Sequence, residues 1–463
     1  MQLHGDYGDE MMKTHFDLIV IGGGISGTLC AVSAAREGLD VLLVEETGCL
    51  GGALTSSGTG PMMTFHAGDK QVVRGITDEL IERLKAKGLS VGHIPDSTGY
   101  TYTVTPFDAE GMKHELELMA VEASVTILFH TVLASTLVEN GRVKSVTLLS
   151  CAKQFTVDAP LYVDASGDAD LLVQAGVPVI LGRESDHATQ PMTTNFRLSG
   201  VDIALIRKMM DDDVSIFPFL KNHPGREKTA LRLSCSGFQE IMKKGIRDGK
   251  ITFDRDIVLF FENNTPNEVI VNMTRVTGLS PVDPVELSLA EVEGRRQVWE
   301  LYHFLKENIP GFSDAVLIST GPSVGIRSSR SMVGVYTITA DDILSERVFD
   351  DRIAAYGYPI DIHSPDGTET KSVFLRDGGM YTIPYRILIN RTVGNVMAAG
   401  RLVSASFEAQ ASLRTSPCCG ALGEACGIAA AIAVKSGRSP SDIDIRTLQK
   451  RLVECGAYIA DEL

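Results

Sequence analysis

Phe16 to Ile21 (FDLIVI) and Leu39 to Val44 (LDVLLV) are two nearly unbroken apolar runs. Between them lie Gly22, Gly23 and Gly24, then a stretch from Ile25 to Arg36 rich in small residues, then Gly38. Short apolar runs without alternation predict strands buried on both faces. Two of them flanking a helix predict a parallel strand–helix–strand unit. Ile76, Leu80, Ile81 and Leu84 share one helical face and predict an amphipathic helix over 74–88, and residues 108–123 read as another. Residues 51–69, rich in Gly, Ser and Thr, read as a loop. Ser124–Phe129 reads as a strand. Thr131–Leu149 alternates apolar and polar residues around Asn140-Gly141, a hairpin signal. Leu161–Asp164 (LYVD) is a short strand running into Ala165-Ser166-Gly167-Asp168.

From about Thr189 the pattern changes. Strand-like segments such as Thr193–Leu198 and Val269–Arg275 alternate with helices, among them a long charged helix from about Leu287 to Asn308. The first pattern then returns with Asn395–Ala399 (NVMAA), Gly400-Arg401 and an Ala-rich helix from about Gly420 to Lys435. These shifts predict an α/β protein with a Rossmann-like nucleotide-binding domain built from 14–190 and 385–437. A mixed α+β domain over 190–384 is inserted into it, and a helix over 438–463 closes the chain. A length of 463 residues exceeds the size at which one core usually stops growing, in keeping with two domains.

Charge and cysteines narrow the function. The 43 basic and 59 acidic side chains give a net charge of −16, so the footprint of a nucleic-acid binder is absent. The eight cysteines include no C-x-x-C pair, which argues against a zinc ribbon or an in-chain iron–sulfur cluster; no metal site is expected. Scattered cysteines suit reduced thiols in the cytoplasm. The first dozen residues are an acidic, polar lead-in without the basic start and apolar core of a signal peptide. The longest apolar stretch, Ala425–Val434, is half of what a membrane span needs. The sequence therefore predicts a cytoplasmic protein without membrane contact and leaves its oligomeric state open.

Gly22-x-Gly24-x-x-Gly27 follows a strand and opens a helix. Gly22 would make the tight turn, Gly24 would let a pyrophosphate approach the backbone, and Gly27 would let helix and strand pack closely. Glu45 ends the second strand, where a carboxylate can accept the hydroxyls of an adenosine ribose and would repel a 2′-phosphate. Three later features favour FAD over NAD. Gly51-Gly52 allow close approach to a ring or phosphate. Asp164 to Asp168 has the residue types of a second nucleotide-contacting turn. The late strand leads to Gly400-Arg401 and a helix whose positive end suits the electron-rich edge of a reduced flavin.

With these residues, the chain resembles the FAD-dependent oxidoreductases of the broad fumarate-reductase and succinate-dehydrogenase-like flavoprotein superfamily. The matching pieces run from IGGGISG (21–27) and GCLGG (48–52) through DASGDAD (164–170), NMTRV (272–276), GIRSSR (325–330), YPIDIH (358–363) and YTIPYR (381–386). They continue to AAGRLVSAS (398–406) and the run from Arg414 through GALGEACGIAAA (420–431). The resemblance implies a two-dinucleotide-fold flavoprotein. In it Gly22, Gly24, Ser26 and Gly27 hold the pyrophosphate, with Ile25 in the same turn. Glu45 takes the ribose and Val132 meets adenine. Gly51 and Gly52 lie along ribityl and flavin, and Ser166, Gly167 and Asp168 flank the dinucleotide. Gly400 and Arg401 approach the ribityl–phosphate arm, Arg414 contacts FAD, and Leu422 and Gly423 lie at the pyrimidine edge of the flavin.

It further implies hydride transfer between flavin N5 and a small organic substrate, with Arg327, Arg386 and His363 as candidates for clamping a carboxylate or moving a proton. Arg330 and Arg414 have a plainer reading as partners of buried carboxylates. Some relatives carry FAD on a histidine, but the MMTFHAG segment around His66 lacks that motif, so non-covalent FAD is expected. Cys418-Cys419 and Cys49 read as small packing residues rather than a redox dithiol. Two alternatives stay open: a flavin subunit exchanging electrons with a separate iron–sulfur protein, and a flavin-binding structural or regulatory protein without turnover.

Overall fold

The computed structural model describes residues 13–220, 225–365 and 370–460. The lead-in of the first dozen residues and the last three positions lie outside them. The two apolar runs form the parallel strands Leu18–Ile21 and Val41–Val44, every residue of both buried. Leu18 sits opposite Val41 on one side and Leu161 on the other. The full parallel sheet runs in the order 396–398, 161–164, 18–21, 41–44, 126–128. The hairpin forms as read: Thr131–Glu139 pairs antiparallel with Arg142–Ser150, and Asn140 and Gly141 take the positive φ values that a tight turn requires.

Helix Ile25–Arg36 packs on this sheet and, face to face, against helix Ser416–Ser436. The second starts four residues before the expected Gly420, because Pro417 fits the first turn, where no N–H partner is needed. At 21 residues it is long and apolar enough to cross a membrane, which corrects the shorter estimate from sequence. Most of it is buried inside the protein, where Leu422, Ala425, Ile428 and Ala429 form part of the core.

A second, antiparallel sheet runs in the order 234–237, 258–262, 269–271, 196–199, 316–320. It packs against helix Pro284–Asn308 through Val298, Leu301 and Leu305, forming a core of its own between Phe196 and Ala315. This helix carries the single tryptophan, Trp299, on its exposed face.

The expected 190–384 boundary is too late. Arg330–Met332 pairs with Val179–Leu181, and from Met332 onward Ile353, Tyr356, Tyr381 and Ile383 belong to the first core. The closing helix Ile445–Glu454 also packs there, through Leu448 and Leu452.

Candidate active site

Two cavities meet where the two cores adjoin. The first, of about 650 Å³, opens over the C-terminal ends of the parallel strands. Its lining includes Gly22, Gly24, Ile25, Ser26, Glu45, Gly52, Val132, Ser166, Gly167, Asp168, Gly400, Arg401 and Arg414. The second, of about 560 Å³, is lined by Arg255, Asn272, Arg327, Tyr358, Asp361 and His363, among others. Ala53, Ile326, Arg401, Arg414 and Ser416 line both and mark the junction.

The first cavity follows from local backbone chemistry. Gly22 turns the chain at φ +102, and a Cβ on Gly27 would stand 1.8 Å from the Gly22 carbonyl oxygen, so only glycine lets helix and turn touch. A Cβ on Gly24 would instead stand in the open, its nearest neighbour the Gly52 Cα 4.0 Å away. Gly24 caps helix Ile25–Arg36 without any side-chain bond, so the helix presents its first N–H groups to the cavity. Glu45 takes the Gly23 N–H at 2.7 Å on Oε2 and the Thr47 N–H and hydroxyl on Oε1, which leaves an acceptor position on Oε2. Arg401 pairs with Asp168 at 2.9 Å, yet its buried Nε has no partner among the described residues.

Several expected cofactor contacts lie off this wall. Gly27 and Gly51 shape the turn from behind, Gly51 through its N–H bond to the Gly23 carbonyl. Leu422 is fully buried in the core. Gly423 is a helix-packing residue, for a Cβ there would stand 2.3 Å from the Ser26 carbonyl oxygen. The end of the helix that faces the cavity is Ser416 and Cys419 instead. The Ser26 hydroxyl donates to the Cys419 carbonyl, and the Ser166 hydroxyl to Asp164 at 2.7 Å.

The second cavity is rich in cations. Arg327 donates to the Pro191 carbonyl at 2.6 Å, to the Thr193 hydroxyl and to Asn272 Oδ1 at 3.3 Å. Burial, together with the charges of Arg414, Arg255 and Arg275, pushes its guanidinium down to about 9. Burial, with Arg275, brings Arg255 to about 10. Arg414 donates to the Asp361 carbonyl at 3.2 Å. The buried Nε atoms of both Arg255 and Arg414 have no partner among the described residues. Burial works against the charged form of Asp361, but His363 and Arg414 overcome it and hold the carboxyl well below its usual range. The Tyr358 hydroxyl donates to Asp361 at 3.3 Å.

His363 lines the cavity, but both ring nitrogens are engaged, with Asp361 at 3.4 Å and Thr370 at 3.4 Å. Burial and the nearby Arg327 push it down to about 3, so the ring is neutral at pH 7. It orients Asp361 rather than offering a free base. Arg386 is excluded from the site: it forms a bidentate pair with Asp351 at 2.8 and 3.1 Å and stacks on Tyr336 outside both cavities. Arg330 lines the first cavity and bonds the Asp168 carbonyl and the exposed Asp170, not a buried carboxylate.

His66 touches neither cavity and bonds Thr103. The eight cysteines are free. Burial pushes Cys419 up to about 12 and Cys418 well above its usual value, so neither is a thiolate. Sequence reasoning missed Arg255, Asn195, Asp361 and the 281–291 segment that walls the first cavity. Arg255 and Asp361 each interrupt or flank an apolar run, a signal that could have drawn attention to them.

Residues 17–452 match the model of the FAD dependent oxidoreductase family. A digeranylgeranylglycerophospholipid reductase of Methanocella arvoryzae is 29% identical over 171 residues, 34% of this chain and 40% of that protein. Digeranylgeranylglycerophospholipid reductase 1 of Methanococcoides burtonii is 24% identical over 304 residues, 60% of this chain and 66% of that protein. The match thus spans less than two thirds of either relative. Among solved structures, a geranylgeranyl bacteriochlorophyll reductase-like protein of Thermoplasma acidophilum is 13% identical with a TM-score of 0.48, covering 96% of this chain and 84% of that one. The family match extends from the first parallel strand into the closing helix, across both cores, and by it the chain belongs to the FAD dependent oxidoreductase family, as an enzyme that works with FAD.

Proposed function

We propose that the enzyme oxidises or reduces a small organic anion, most simply a carboxylate, held in the cationic cavity beside the flavin. The observation that carries this reading is the imbalance of charge there. Arg255, Arg327 and Arg414 share the wall with two carboxylates, the buried Asp361 and the exposed Asp256, and two of the three arginines keep an unpartnered Nε. An anion would relieve their mutual repulsion and accept those N–H groups. The two curated relatives are named as reductases of a lipid.

The first cavity fits FAD. The open space at Gly24 and the uncapped helix start would hold the pyrophosphate, and the free acceptor position of Glu45 would take the ribose. The exposed face of Val132 would meet adenine, and the Nε of Arg401 would meet an oxygen of the cofactor. Bound without a covalent link, FAD supplies hydride transfer at its N5. The chain's own residues bind and orient. Arg327, fixed by Pro191, Thr193 and Asn272, stays charged at neutral pH and anchors the anionic group in the second cavity. The uncapped start of helix Ser416–Ser436 turns its positive end to the same place. Asp361 holds Arg414 and Tyr358 in position. We further propose a cytoplasmic location, supported by eight free cysteines.

The test is a titration of the holoprotein with acetate and butyrate, followed by the visible flavin spectrum. Both should perturb the band. Arg327→Met should weaken binding about 10- to 100-fold, the loss of one hydrogen-bonded charge, with FAD content unchanged. Arg386→Met should leave binding as it is. A flavin band indifferent to every carboxylate would refute the reading.

A further inference from the structure

Asn195 lies on the wall of the cationic cavity, only 3% exposed. Its Nδ2 donates to the Ser57 carbonyl at 3.3 Å and to the Thr59 hydroxyl at 2.9 Å. A backbone carbonyl can only accept, so the NH2 side of the amide must face Ser57. The orientation of the amide is therefore fixed by its surroundings. The other side, Oδ1, is buried and has no partner among the described residues. Buried amide oxygens are ordinarily paired, and this one lacks a donor on a residue that lines the cavity.

The backbone sets where that acceptor stands relative to the arginines. Thr193 pairs with Gly325, and the Asn195 carbonyl accepts from the Gly321 N–H, so both residues run beside the 321–325 segment. Two residues along a chain span at most about 7 Å. Thr193 holds Arg327, and Asn195, two residues on, lines the same cavity. An anion on Arg327 and a donor to Asn195 Oδ1 thus fall within the reach of one small molecule. Asp361, the buried carboxylate of this wall, is already engaged by Tyr358, His363 and Arg414 and leaves that role to Asn195.

We propose that the substrate is a carboxylate that also carries a hydroxyl or amino group, a small hydroxy or amino acid, whose O–H or N–H is accepted by Asn195 Oδ1. This rests on the anionic reading above and narrows it.

The test compares ligands on the unaltered holoprotein through the flavin spectrum. Butyrate is set against 2-hydroxybutyrate, 3-hydroxybutyrate and 2-aminobutyrate, each as both enantiomers. 2-Methoxybutyrate, which can accept but not donate, is the control. At least one donor-bearing acid should bind about tenfold or more tightly than butyrate, and the methoxy acid should show no such gain. In Asn195→Leu the ratio of the donor-bearing acid's affinity to that of butyrate should fall to within about twofold of one. That variant is read only if it retains FAD and melts cooperatively, because it also loses the bonds to Ser57 and Thr59. The ligand series on the unaltered protein decides alone if it does not. Binding of butyrate with no gain for any donor overturns this inference and leaves the anionic reading standing. Failure of every acid to bind overturns both.

Discussion

Glu424 sits at the start of helix Ile76–Ala86 and accepts the Ile76 N–H at 3.2 Å, yet it is 3% exposed. Burial pushes its carboxyl up to about 8, so the folded protein keeps a proton that the unfolded chain releases near 4.5. The stabilisation from this group is fully present below about 4.5 and is lost as the pH rises through about 8. Glu424→Gln keeps an oxygen for Ile76 and cannot ionise. Thermal melts from pH 5 to 9 should show stability falling with pH in the wild type, by at most about 1.4 kcal/mol per unit from this group, and a shallower fall in the variant. Equal slopes would show that Glu424 does not carry this proton. Neither this residue nor Asn195 stands out in the sequence. What sets each apart is a partner missing or gained from a segment more than a hundred residues away, and no local pattern encodes that.

Helices Ile25–Arg36 and Ser416–Ser436 approach so closely that Cβ atoms on Gly423 and Gly427 would each stand 2.3 Å from a carbonyl oxygen of the other, at Ser26 and Cys30. Gly423→Ala should therefore force the helices apart, costing about 1–3 kcal/mol of stability as read by denaturant unfolding. It should also lower the fraction of protein purified with FAD, because Ser26 lines the cavity proposed for it. A variant as stable and as yellow as the wild type would contradict this. The elements themselves were legible, since strands buried on both faces demand unbroken apolar runs and the Asn140-Gly141 turn demands positive φ. The duty of a glycine was less so. Gly423 follows the same small-residue logic whether its neighbour is a flavin or a helix, and only tertiary packing shows that it is a helix.

At the scale of the molecule, the parallel sheet and its nucleotide turn were readable from spacing, while the seam between the two cores was not. Residues 332–365 and 370–384 return to the first core through two-stranded pairings and buried tyrosines that carry no mark of which sheet they join. Both cavities lie along that seam, and helix Pro284–Asn308 reaches across it. Asp283, Leu287 and Glu291 border the cavity proposed for FAD, and Trp299 stands two turns beyond Glu291, about 12 Å along the axis. The chain's one indole thus rides on the same helix whose start borders that cavity, and excitation energy is expected to pass from it to an oxidised flavin bound there. Stripping FAD should brighten the tryptophan emission. Gentle denaturation that loosens the second core before the cofactor escapes should brighten it too, so that one native fluorophore reports when the two halves of the enzyme come apart.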